Sequence, residues 1–222
     1  MIIRKVLERA NFKTIYYNFK VFPFVQAIKF PLLISRNTRI LSLPRKAIHL
    51  ETKARLGLIQ IGFNNVGTID STRDKSVIQI EKGGILEISD KTYFGSGANI
   101  SIGSVGKIVC MGNFCTTARS SFICHEKIIF GKNTVISWDC IFMDSDFHKI
   151  KENGSVINSP RPITIGDNVW FGCRVTVLKG ANVPNGCVIA AGALVSRDLT
   201  DENSIYAGIP AKLCKKNITW EL

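Results

Sequence analysis

His148 closes the run ISWDCIFMDSDFH, four residues after Asp144 and two after Asp146. Imidazole titrates near neutral pH and can take a proton from an attacking hydroxyl or amine, and a carboxylate on its other ring nitrogen would fix the tautomer and support the imidazolium. Read from its neighbours alone, His148 is either such a base, with Asp146 as orienting partner, or a surface histidine in a polar loop. The chain has two other histidines. His125, in ICHEKI, is expected at a structural or surface position, with substrate contact as the alternative; His49 lies in a basic segment and is read as non-catalytic. A catalytic zinc takes three protein ligands, two of them closely spaced. His125 and His148 are 23 residues apart with no His-x4-His, so no metal is expected. Seven cysteines without CxxC spacing suit reduced thiols better than a disulfide framework, and Cys140 and Cys187 read as small wall residues.

The elements that must position these groups show in a period of six. Ile165, Phe171, Val177, Val183, Ile189 and Val195 form an unbroken series, which neither the 3.6 repeat of a helix nor the 2 repeat of a strand would produce. Such a period belongs to a stacked β-solenoid in which one large residue per six points to the axis and small residues turn the corners. The fold expected is mainly β, with three sixes to a coil. Upstream, the same pattern is read in Ile88, Phe94 and Ile100, then Met111, Thr117 and Ile123, then Phe130, Ile136 and Phe142, with phase slips near 106–110 and at Ile129. Between Phe142 and Ile165 the segment KIKENGSVINSPRP reads as a loop thrown out of the coil, over 148–162. Loops on a rigid scaffold commonly carry function.

Composition and charge limit the alternatives. With 222 residues and 45% apolar content the chain can bury a large core. Lys29 interrupts the longest apolar candidate, Val21 to Ile34, which is short of the roughly 18 to 20 residues a membrane-spanning helix needs. Met1–Leu7 carries Arg4 and Lys5 with no apolar signal region after them, so export by that route is not expected. Residues 1–55 hold twelve Lys or Arg against Glu8 and Glu51, a net of +10, mixed with Phe12, Tyr16, Tyr17, Phe19, Phe22, Phe24 and Phe30. This segment is read as a basic, partly helical arm that packs on the first coil and lies on an anionic membrane surface, or does only the first. No nucleic-acid motif accompanies the charge, and nucleic acid is not expected as a partner. The division expected is 1–74 for the arm and first irregular coils, 75–216 for the solenoid and 217–222 for a short C-terminal tail.

The run PITIGDNVWFGCRVTVLKGANVPNGCVIAAGALVSRDLTDENSIYAGIPAKLCKK resembles the C-terminal signature of hexapeptide-repeat acyltransferases, with NVW-x-G, VIAAGA, S-R-D and AGIPAK in order. The likeness covers roughly 75–216, and ISWDCIFMDSDFH extends it toward the sugar O-acetyltransferases of surface polysaccharides. The resemblance implies a left-handed parallel β-helix, assembled as a homotrimer, with acetyl-CoA in a groove between subunits and no metal. It strengthens His148 as the base, although some members place the base a few residues earlier, where this chain has Asp144 and Asp146. By the same match Trp170 would wall the thioester channel, and Cys173 and Ala191 would offer main-chain groups to the cofactor, with Gly192 allowing close approach. Ser196, Arg197, Lys212 and Lys215 would meet its distal part. Asp144 and Trp138 are the expected acceptor contacts, with packing between coils as the alternative for Trp138, and His125 is the further candidate contact on its alternative reading. The implied activity is transfer of an acetyl group to a sugar hydroxyl of a glycan or lipid-linked glycan, in the cytoplasm or at the inner face of its membrane. N-acetylation of an amino-sugar nucleotide and a non-catalytic scaffold are the alternatives.

Overall fold

The computed structural model describes residues 11–63, 66–67, 70 and 73–221. The reading of Met1–Leu7 falls outside them. The chain runs from Ile59–Phe63 to Val77–Ile80 to Ile85–Ile88 and returns at Thr92–Ser96, pairing parallel with the strand it started from. Repetition of this circuit builds three long sheets of nine, seven and six strands, the sides of a left-handed parallel β-helix. They are called here the first, second and third sheets.

The axis is filled as the period of six requires. Ile165, Phe171, Val177, Val183, Ile189 and Val195 are all buried. Farther up, the phenylalanines Phe94, Phe114, Phe122, Phe130, Phe142 and Phe171 form a continuous column, with neighbouring ring centroids such as Phe114–Phe130 and Phe142–Phe171 at 4.9 and 5.1 Å. One group in the expected pattern is out of phase. Met111 is exposed and Thr117 and Ile123 lie half-buried on the outside, whereas Cys110, Thr116 and Phe122 face inward, level with Phe130, Ile136 and Phe142. Strands in these coils are long enough to carry two inward residues each, as Ile100 and Ile102 do on Asn99–Ile102. The count of six therefore restarts from either one, and because strand side chains alternate, an error of one residue puts the whole group on the wrong face.

The corners have their own chemistry. Between the third and first sheets Asn113, Asn133, Asn168 and Asn203 stack with φ of 47°, 56°, 54° and 49°, the left-handed region that asparagine tolerates. Their amides bond along the column, Asn113 Nδ2 to Asn133 Oδ1 at 3.0 Å and Asn133 Nδ2 to Asn168 Oδ1 at 2.8 Å. Gly186 stands in the same column because a Cβ there would lie 2.1 Å from Asn203 Oδ1.

Both ends of the solenoid are covered, as open strand edges require. Helix α1, Phe12–Val21, crosses the terminal strand Leu32–Ile34 and satisfies its edge with side chains. Asn18 Nδ2 donates to Leu32 O (2.7 Å), Leu32 N donates to Asn18 Oδ1 (3.1 Å) and Ile34 N donates to Thr14 Oγ1 (3.0 Å). Helix α2, Phe24–Ala27, follows directly. At the other end Lys212–Lys215 folds back antiparallel on Ile205–Ala207, and the tail lies over the asparagine corner, Trp220 Nε1 donating to Asn168 O at 2.8 Å. Among the described residues no helix is long and apolar enough to cross a membrane.

Candidate active site

The chain leaves the second sheet at Ile141–Met143 and re-enters the third at Ile163–Ile165, and the excursion between them carries His148. Its neck is closed by Asp144, which is wholly buried. One carboxylate oxygen accepts from His125 N (2.7 Å), the other from Glu126 N (2.8 Å), and its carbonyl accepts from Arg161 N (3.1 Å). The expectation that Asp144 contacts an acceptor does not hold: both oxygens tie the loop to the preceding coil and none of its surface is open. Asp144→Ala leaves two backbone N–H groups without acceptors, at about 1–3 kcal/mol each. We therefore expect a lower unfolding midpoint in urea with an unchanged acceptor KM; an unchanged midpoint with a raised KM would contradict this role.

Beyond the neck, Lys151–Glu152 pairs antiparallel with Ser155–Val156, and Asn158 fastens the base of this hairpin. Its Oδ1 accepts from Ile150 N (2.6 Å), and its Nδ2 donates to His148 O (2.8 Å) and Asp146 Oδ2 (2.9 Å). Lys179, one coil farther on, forms a salt bridge with the same Asp146 oxygen and also donates to Asn158 O at 2.9 Å. Lys179, and then Asn158, hold the Asp146 carboxyl below the usual carboxylate range. The expected pairing of Asp146 with the His148 ring is not formed. A cation from the next coil and an amide from the loop take the carboxylate oxygen instead. Asn158 and Lys179 had no distinguishing signal in the sequence, one being a polar residue in a polar loop and the other a lysine on a corner.

His148 is exposed, its N–H donating to Asp146 O at 2.7 Å, and among the described residues its ring makes no hydrogen bond. The residue before it, Phe147, has φ of 61°, rare for a bulky side chain, and its ring stands edge-on to His125 at 4.9 Å. Strain of this kind persists only where the surroundings enforce it and clusters at functional turns. His125 is half-buried, and Gly103 leaves it room: a Cβ there would lie 3.0 Å from its Nδ1.

The remaining expected residues form three groups. Ser196 and Arg197 are exposed just after Leu194–Val195, at the corner between the second and third sheets that also carries His148. Trp138, Cys173, Ala191 and Gly192 share the opposite edge of the second sheet, where Arg174 N donates to Trp138 O (3.0 Å) and Gly192 N to Cys173 O (2.9 Å). Between these edges Ile141, Met143, Thr176, Leu178 and Leu194 face outward and are at least partly open. The third group is elsewhere: Trp170, 39% exposed with Nε1 donating to Ser137 Oγ at 3.3 Å, and Lys212 and Lys215 lie on the first sheet. Among the described residues no cluster of three or more His, Cys, Asp or Glu could hold a metal ion.

No family model matches the chain. Over 173 residues, 76% of this chain and 82% of the relative, it is 30% identical to the Saccharomyces cerevisiae protein named "Putative acetyltransferase YJL218W". This chain belongs to the hexapeptide-repeat acetyltransferases. The acetyltransferase is also 28% identical over 137 residues, 55% of its length and 68% of the relative, to the Escherichia coli K12 protein named "Putative lipopolysaccharide biosynthesis O-acetyl transferase WbbJ". Its fold matches that of the polysialic acid O-acetyltransferase OatWY with a TM-score of 0.57 and 22% identity, over 86% of this chain and 87% of that one.

Proposed function

We propose that this acetyltransferase moves an acetyl group from acetyl-CoA to a sugar hydroxyl of a surface-glycan precursor, with His148 as general base. The observation that carries this reading is the setting of His148: a backbone held by Asp146 and Asn158, and a ring left open to solvent at the edge of the second sheet. Asp146 acts as a positioning residue, through Lys179 and Asn158, on the turn that presents the imidazole. Relatives support the acceptor class, since one carries lipopolysaccharide biosynthesis in its name.

The second sheet suits a long, amide-rich cofactor. A Cβ at Gly192 would meet nothing within 4 Å, so backbone at that corner is approachable, and partly open aliphatic side chains lead across to Ser196 and Arg197. Arg197 would meet an anionic end through charge-assisted hydrogen bonds. Cys173 and Ala191 would supply main-chain groups. Acetyl-CoA supplies the activated acyl group, and the chain's own residues orient the hydroxyl, with His148 Nε2 or Nδ1 taking its proton as attack begins. His125 and Trp138 border the same sheet and are the proposed acceptor contacts.

Trp170, Lys212 and Lys215 lie on another side of the prism from His148, so one chain does not assemble all the proposed residues. A neighbouring copy that sets its first sheet against this second sheet would bring them together, and three such contacts close a trimer with a site at each interface. The reaction then runs in the cytoplasm, consistent with seven free cysteines. Incubating the protein with acetyl-CoA and a panel of glycan acceptors, and following free CoA with product mass, tests the reading. Acceptor-dependent release with an ester-linked acetyl on a sugar is expected. An amide-linked product, or no release with any glycan, would overturn it.

A further inference from the structure

A surface helix normally buries its apolar stripe. Helix α1 does the reverse. Its face toward the solenoid is Thr14, Asn18 and Val21, with Tyr17 partly buried against the core beside them, and the two polar residues are bonded to the edge strand Leu32–Ile34. Phe12, Ile15, Tyr16 and Phe19, spaced as one helical stripe, point outward at 80, 45, 48 and 44% exposure. The patch continues along α2 and its C-cap, where Phe24, Val25 and then Ile28 are exposed, and the Phe19 ring lies 6.1 Å from both Phe24 and Phe30.

The charge around this patch has one sign. Residues 11–50 contain Lys13, Lys20, Lys29, Arg36, Arg39, Arg45 and Lys46 and no Asp or Glu. Lys20 sits over the rings of Tyr16 and Tyr17 at 5.8 and 5.3 Å, which keeps a cation on the aromatic surface. We propose that this end of the solenoid docks on an anionic phospholipid membrane, with Phe12, Phe19 and Phe24 entering the headgroup region and the lysines and arginines other than Lys13, which donates to Arg36 O and Thr38 O, meeting lipid phosphates. Exposed rings flanked by cations are the composition of interfacial helices. A second copy of the chain is the poorer occupant, because end-to-end contact would set seven cations against seven, with Glu51 as the one acid among described residues 11–58.

The docking places the candidate site at a useful height. His148 follows the fifth strand of the second sheet, four strands beyond Arg39–Ser42. At the strand spacing of a sheet this is roughly 20 Å from the membrane end, within reach of a glycan carried on a lipid. That last step rests on the proposed function, whereas the docking does not.

Flotation of the full chain with vesicles of phosphatidylglycerol and phosphatidylcholine, against vesicles of phosphatidylcholine alone, tests the proposal. Wild type should float with the mixed vesicles, and added salt should release it. Phe12→Ser/Phe19→Ser and Lys20→Glu/Lys29→Glu should each lower the bound fraction by about tenfold or more, with melting temperatures unchanged. Failure to float with the mixed vesicles, equal flotation with the neutral ones, or variants that bind as wild type would overturn it. So would end-to-end assemblies in sedimentation that the Phe variant dissolves without any vesicle binding. Vesicle binding without transfer to any glycan would bring down the proposed function and leave the docking standing.

Discussion

Replacing His148 by Ala should slow acetyl transfer by a factor of about 10² to 10⁴, the usual contribution of a positioned base. Acetyl-CoA affinity should stay near the wild-type value, because the base acts on the acceptor proton and not on the cofactor. Stability should also be preserved, since the ring is exposed and, among the described residues, makes no hydrogen bond. Steady-state kinetics beside a melting curve separates these effects. A fall in kcat with normal melting and normal cofactor affinity assigns the base to His148. Equal CoA release by mutant and wild type would remove it from the chemistry, and the turn built by Asp146, Asn158 and Lys179 would then be a purely structural staple of the loop.

Replacing Phe142 by Ala should produce the largest loss of stability. Its ring is fully buried and lies against Phe122 at 5.5 Å and 8°, Phe130 at 5.1 Å and Phe171 at 5.1 Å, so it joins the upper aromatic column to the lower aliphatic one. Truncating a buried phenylalanine costs about 3–5 kcal/mol, which in a domain of this size lowers Tm by about 10 °C. Each coil rests on its neighbours, and a cavity at this layer weakens the contact between the halves of the solenoid. Phe142 also directly precedes Met143 and the Asp144 neck, so heating should free the His148 loop early. Calorimetry of the variant measures the loss. A change below about 1 kcal/mol would mean that the axis closes over the gap, against the rigid packing that interlocked rings imply.

Much of the solenoid was legible because its rule is local. A large residue every six positions has only one way to lie in a three-sided coil, and from Ile165 to Val195 every such residue is buried. The rule failed at Met111, Thr117 and Ile123. Longer strands there carry two inward residues, and nothing in the spacing says from which of them to count. At the candidate site the sequence singled out His148 but misjudged its neighbours. Asp144 and Asp146 have the same side chain two positions apart, yet one is sealed in the neck and the other forms a salt bridge with Lys179. Neither carboxylate pairs with the ring, and for Asp146 that outcome depends on Lys179 and Asn158, 33 and 12 residues along the chain from it. For the basic aromatic segment the sequence left open whether the rings pack on the first coil or lie on a membrane surface; the polar demands of the Leu32–Ile34 edge are what turn Phe12 and Phe19 outward.

The sequence by itself determined the coil, its axis, the extruded loop and the basic aromatic segment, since each follows from residue type at short range. Only the tertiary structure decided which groups meet across coils: the closed neck at Asp144, the staple at Asn158, the separation of Trp170 from His148 onto different sides, and the outward turn of Phe12 and Phe19. Those outcomes are set by hydrogen bonds and charges between residues far apart in the chain, where competing partners of equal chemistry differ only in where the stacked coils place them.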